Sequence, residues 1–243
     1  MAGWRILCFC FALQIGEGMH GEPTPQSSAL LKRNSSDSVA ERAFRRLQQI
    51  IEGGHQMSLR AVRPPKVSPE FKARVMASLP PKGEIRLKGY LADKLKNVDQ
   101  VLRYHDRVGI VEIKVIGAFQ AAVAIHARCV VLVSEPALRL LTADELLAII
   151  AHEVGHEYVW EEYQSARRRN DYPKIQELEL WCDGVAILTL LHLELDPENL
   201  IRGLSKLNRF NERFGTPLDA NHYPGDRTRA DFQRRVIKMR HFQ

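Results

Sequence analysis

The sequence predicts an α+β domain, mostly helical with one small sheet, and three observations carry that expectation. Residues 108–116 (VGIVEIKVI) alternate, with Val111, Ile113 and Val115 on one side, the two-residue period of a strand. Residues 119–126 and 128–133 continue as short β-rich segments, whereas from Leu141 onward apolar residues recur at helical intervals. Strands thus come first and helices after, unlike the alternation of βαβ units.

Taken in order, Ser38-Val-Ala-Glu41 has the spacing of a capping box and opens an amphipathic helix that Gly53-Gly54 ends. Ser68-Pro69-Glu70 caps a short helix to about Leu79, and Pro80-Pro81-Lys82-Gly83 breaks the chain. Leu91, Leu95, Val98 and Leu102 predict one helix from Leu91 to His105. Thr142-Ala-Asp-Glu145 is a second capping box and starts a long helix to about Ser165. Asp171 to Pro173 starts another that runs to about Leu193, and Asp196-Pro197 caps a further one to about Phe214. Residues 226–240 form a last, basic helix.

The 243 residues leave room for one sizeable domain, and 45% apolar with 26% charged residues excludes wholesale disorder and fibrous repeats. The net charge of +6 is scattered over Arg42, Arg45 and Arg46, over Arg167 to Arg169, and over Arg234 and Arg235. These read as solvated helix faces, with no aromatic-interleaved basic motif, so no nucleic-acid partner is expected. Arg5 followed by the short apolar stretch Ile6 to Ile15 reads as a signal peptide over 1–18, with Gly16 and Gly18 at a cleavage site before Met19. The expected product is exported, periplasmic or extracellular. It has no integral span after cleavage, and it stays membrane-tethered if the signal is kept. Residues 19–68 read as a flexible leader with one amphipathic helix, and 69–243 as the domain. Cys129 and Cys182 remain in the mature chain, both in apolar surroundings that favour two buried thiols over a disulfide.

His152-Glu153-Val154-Gly155-His156 lies mid-helix. Two histidines at i and i+4 are about 40° apart around the axis and roughly 6 Å along it, so both imidazoles project from one face and can grip one ion. Glu153 sits beside them, where a carboxylate takes a proton from a metal-bound water. The flanking residues (ELLAIIAHEVGHEYVW) are apolar nearly all round, and burying two imidazoles and a carboxylate without a cation is costly. A catalytic zinc needs a third ligand. The next helix carries Glu179 and Asp183, again i and i+4, within an apolar run: Glu179 reads as the third ligand and Asp183 as an acceptor that orients a ligating histidine. Glu177 points elsewhere and is expected to be exposed.

The HExxH helix opened by a T-x-x-E cap, followed by a helix with E-x-x-x-D, resembles the gluzincin family of the CAAX prenyl endopeptidase and HtpX, peptidase family M48. Residues 118–121, the run VVLVSEPALRLLTADELLAIIAHE, Leu195-Asp196-Pro197, and His222-Tyr223-Pro224 with Arg229 extend the resemblance over about 108–235. It implies a zincin-like metallopeptidase domain of the soluble, exported type, whose sheet has an edge strand bordering the metal helix. It also implies one Zn2+ per chain on His152, His156 and Glu179, Glu153 as general base, support from Asp183, and His222 on the oxyanion with Arg229 organising it. Cys182 replaces the usual small alanine. The extra Tyr223 leaves the register open between Arg229 and Arg227, and Tyr223 is itself a candidate oxyanion donor. The expected activity is zinc-dependent endopeptidase cleavage of proteins or peptides, in envelope or secreted protein quality control. A catalytically silent, metal-containing, chaperone-like binding protein is the alternative.

Overall fold

The computed structural model describes residues 38–52, 59, 62–79, 85 and 87–239. The expected signal peptide, most of the expected leader, and the Gly53-Gly54 and Pro80–Gly83 breaks lie outside the described residues. Three strands, β1 (Glu112–Ile116), β2 (Val123–His126) and β3 (Val130–Ser134), form a sheet of order β1-β3-β2, with β1 parallel and β2 antiparallel to β3. The helices are α1 (Val39–Glu52), α2 (Pro69–Ser78), α3 (Tyr90–Asp93), α4 (Val98–Tyr104), α5 (Glu135–Leu140), α6 (Ala143–Tyr158), α7 (Trp160–Arg168), α8 (Tyr172–His192), α9 (Glu198–Arg213) and α10 (Asp226–Met239). This is the mostly helical α+β arrangement the periodicities predict. Among the described residues no helix is long and apolar enough to cross a membrane.

The centre of the molecule is the packing of α6 on α8, both buried along most of their length. At Thr142 the capping box is complete: Thr142 Oγ1 accepts from Glu145 N–H at 3.2 Å and Glu145 Oε2 from Thr142 N–H at 2.8 Å. At Ser38 only half of it forms. The hydroxyl accepts from Glu41 N–H, but the Glu41 carboxylate turns to Arg235 on α10 at 2.6 Å. Ala43, Phe44 and Leu47 of α1 are buried in the same core as α6 and α8. A Cβ at Gly184 of α8 would lie 2.6 Å from Leu47 Cδ2, so the glycine makes the seat for α1. Residues 39–52, expected as part of a leader ahead of a domain starting at 69, thus belong to the packed domain.

Three expected continuous elements are interrupted or shortened, one of them the helix expected to about Ser165, which breaks at Val159 between α6 and α7. The helix expected from Leu91 to His105 divides into α3 and α4 because Lys94, 3% exposed, turns inward and donates to the carbonyls of Leu138 at 2.8 Å and Leu141 at 2.6 Å, which the end of α5 leaves unpaired. The strand expected from Val108 begins only at Glu112, since Gly109 (φ 77°) turns the chain. Leu188 and Trp181 pack with Cys182 in one cluster, while Cys129 lies in another beside Val130, and both thiols are free and buried.

His105, at the end of α4, is 1% exposed, with Nδ1 2.7 Å from Tyr158 Oη and Nε2 3.0 Å from Thr189 Oγ1. The Thr189 hydroxyl already donates to Val185 O, so its oxygen must accept, and His105 is neutral with its proton on Nε2. Burial, with Arg63 and Arg107 nearby, pushes its pKa down from 6.5 to about 3. The unfolded chain therefore takes up a proton below pH 6.5 that the folded chain refuses until about pH 3, and stability falls as pH falls through that window. Between pH 7 and 5 this group should cost about 2 kcal/mol of unfolding free energy. Chemical denaturation of wild type and His105→Gln at both pH values should show that difference in slope; parallel pH dependences would remove His105 as the cause.

Candidate metal centre

His152 Nε2 lies 3.4 Å from Glu179 Oε2 and His156 Nε2 lies 3.7 Å from Glu179 Oε1. The three residues offer donor atoms within 4.8 Å of one another, all on buried side chains. Two donors on one tetrahedral zinc at about 2.0–2.2 Å stand roughly 3.3–3.5 Å apart, so the spacing suits a shared ion. Glu179 Oε2 is buried without a hydrogen-bond partner. A buried carboxylate oxygen left unpaired is costly unless a cation completes it, and the donor set of two imidazoles and one carboxylate is one that zinc takes.

Helix geometry brings the histidines to one face, but the third ligand needs α8 at close range. Gly155, between the histidines, supplies that: a Cβ there would lie 3.2 Å from both the Cα and the carbonyl oxygen of Cys182. The backbones meet one turn from Glu179.

Asp183 is saturated. Its Oδ1 accepts from Arg229 Nη2 at 2.7 Å and lies 2.8 Å from His152 Nδ1; its Oδ2 accepts from Arg229 Nε at 2.6 Å and Gln233 Nε2 at 2.8 Å. An ionised carboxylate only accepts, so His152 Nδ1 carries a proton, which fixes the ring with Nε2 directed toward Glu179. Arg229 also stands 3.9 Å from Glu179 Oε2 and is 4% exposed, whereas the side chain of Arg227 is 97% exposed. Of the two arginines the sequence leaves open, Arg229 is the one buried beside Asp183 and Glu179.

Burial opposes ionisation of Asp183, yet Arg229 and His152 outweigh it and hold the carboxyl below its ordinary range. Glu179 behaves likewise under His156, His152 and Arg229. Burial lowers His156, while at His152 the two carboxylates overcome burial and raise it. Burial pushes Glu153 up to about 7.

Glu153 faces the sheet. Ala122 O accepts from Ser134 N and His126 O from Cys129 N, so residues 122, 124 and 126 face β3 and the odd-numbered ones face the outer edge. On that edge Ile125 N–H donates to Glu153 Oε2 at 2.9 Å. Upstream, the Asn211 side chain from α9 accepts from Ala121 N at 2.9 Å and donates to Ala121 O at 3.0 Å. Between these two attachments the backbone N–H and C=O of Val123 point outward.

The remaining expected residues sit on the segment before α10. His222 Nδ1 is 2.5 Å from Asp219 Oδ2 and its ring stands edge-on to Tyr172, 5.5 Å away; the structure does not bring it into hydrogen-bond contact with His152, His156 or Glu179. Gln176 of α8 fastens the segment through the carbonyls of Ala220 and Asn221. Burial opposes the charge of Arg229, yet Asp183 and then Glu179 outweigh it and raise its pKa, with Tyr223 a smaller contributor. Glu177 is 7% exposed, contrary to expectation, because Arg42 of α1 reaches it at 2.7 Å and Lys174 covers its other oxygen. Sequence reasoning missed Tyr163, whose hydroxyl donates to Glu179 Oε1 at 2.8 Å, Gln233, and Asn211. Tyr163 and Gln233 sit at helical spacing from His156 and Arg229, a signal too common to single them out.

No curated protein matches the chain. A third of the sequence, residues 86–166, which hold the sheet and the helix bearing His152, Glu153 and His156, matches the model of peptidase family M48.

Proposed function

We propose that the chain is an exported, zinc-dependent metalloendopeptidase that hydrolyses peptide bonds in protein or peptide substrates, in envelope or secreted protein quality control. The observation that carries the reading is the buried donor set: Glu179 sets Oε2 3.4 Å from His152 Nε2 and Oε1 3.7 Å from His156 Nε2, and its Oε2 has no hydrogen-bond partner. A zinc ion held there supplies a Lewis acid that polarises the scissile carbonyl and makes water acidic.

The protein's own groups do the rest. Ile125 N–H fixes one oxygen of Glu153, and the other is the base that takes the proton of the attacking water and later returns it to the leaving amine. The basicity that burial confers on Glu153 suits proton transfer near neutral pH. An extended substrate pairs its main chain with Val123 on the outer edge of β2, a mode in which backbone hydrogen bonds supply affinity and side-chain selectivity is weak. His222 or Tyr223 is the donor for the oxyanion, and Arg229 helps to organise the site while holding Asp183.

The test is metal content of the purified chain alongside cleavage of an unfolded casein-like substrate. Wild type is expected to hold about one zinc per chain and to cleave; Glu179→Ala should lose most of the zinc and all measurable cleavage. A wild-type protein that keeps zinc and never cleaves would replace this reading with the binding-protein alternative.

A further inference from the structure

The geometry points to Tyr163 as a positioning residue that makes Glu179 bind the metal through one oxygen. The inference rests on reading His152, His156 and Glu179 as a zinc centre. The two oxygens of Glu179 have different surroundings: Oε1 accepts the Tyr163 hydroxyl at 2.8 Å, whereas Oε2 is buried with no hydrogen-bond partner. A carboxylate can chelate an ion with both oxygens or bind it with one. A phenol hydroxyl on Oε1 occupies that oxygen and leaves Oε2 as the donor, which keeps a coordination position clear for the reacting molecules.

Tyr163 is 6% exposed and touches a second ligand as well, its ring standing edge-on to His156 with centroids 5.0 Å apart. It comes from neither ligand helix. The long helix breaks at Val159 (φ −122°, ψ 16°), and α7 resumes with Tyr163 N–H donating to Val159 O at 2.8 Å. On an unbroken helix a residue seven positions beyond His156 would sit two turns, about 10 Å, further along the axis. α7 is then strapped in place by Arg46 of α1, which grips Glu162 at 3.0 and 2.7 Å. The phenol is therefore presented to Glu179 by a rigid third element, an arrangement that fixes the rotamer of the carboxylate before the ion arrives.

The experiment compares the full chain as wild type, Tyr163→Phe, Glu179→Ala and the double variant. Zinc affinity is read by competition with a chromogenic chelator, and the visible spectrum is read after Co2+ substitution. Tyr163→Phe keeps the ring on His156 and removes only the hydroxyl, so zinc should bind about 10- to 100-fold more weakly, and the cobalt bands should shift as Oε1 joins the ion. In the Glu179→Ala background the same substitution should cost no further affinity, since its partner is gone. Unchanged zinc affinity with an unchanged cobalt spectrum in Tyr163→Phe would overturn the assignment, as would a loss that persists in full without Glu179. A wild-type chain that takes up no zinc would overturn the zinc centre itself and the role of Tyr163 with it, a result distinguishable because it shows before any variant is compared.

Discussion

Glu153→Gln is expected to retain zinc at wild-type stoichiometry and to lower peptide hydrolysis by about 10²- to 10⁴-fold, the range that removal of a general base produces. The substitution is chosen for what it preserves. Ile125 N–H donates to Glu153 Oε2, and a glutamine amide oxygen can accept the same bond, so β2 stays latched to α6 and the substrate edge keeps its place. Alanine would remove the base and the latch together and confuse the two. The glutamine side chain also matches the buried volume while abolishing the one property in question, an oxygen that can take a proton. The rate should fall in kcat with KM little changed, because the substrate edge and the metal ligands are intact. Metal analysis with steady-state kinetics on one preparation decides it: full turnover with full zinc would remove Glu153 from the reaction.

How much of this site can be read before folding depends on whether a contact lies within one helix or between elements. His152 with His156, and Glu179 with Asp183, are each related by one turn, and a 3.6-residue period fixes their common face from sequence alone. That the two pairs meet is not local: it needs Gly155 to admit the Cys182 backbone at 3.2 Å, a property of two helices crossing. Glu177 shows the same limit in reverse. Its own helix says nothing of Arg42, 135 residues earlier, which covers it. The breaks at Lys94 and Val159 escape periodicity too, since the first is driven by carbonyls at the end of α5 and the second falls between Tyr158 and Trp160 with no Gly or Pro to mark it. Asn211 acts as a stand-in for a neighbouring strand at Ala121, a bond 90 residues apart in sequence.

Asp183→Ala should be the most destabilising substitution near the site, and it separates two roles of one carboxylate. Arg229 is 4% exposed and spends two of its donors on Asp183; with the carboxylate gone, a buried guanidinium loses the carboxylate it hydrogen-bonds, Glu179 remaining only at 3.9 Å, and the Gln233 amide loses its acceptor. Breaking one side of a buried pair costs about 3–5 kcal/mol, since the surviving charge remains desolvated. Denaturant unfolding in the presence of a chelator isolates this cost from any contribution of bound metal. The second role concerns His152, whose Nδ1 proton Asp183 holds; its loss should weaken zinc binding by about 10- to 100-fold. Adding Arg229→Met to Asp183→Ala distinguishes the two. Removing both charges takes away the unpaired guanidinium, so most of the lost stability should return, while zinc affinity stays low because His152 still lacks its acceptor. If stability and zinc affinity recover together, Asp183 acts on the metal only by keeping α8 and α10 packed, and the hydrogen bond to His152 carries no separate weight.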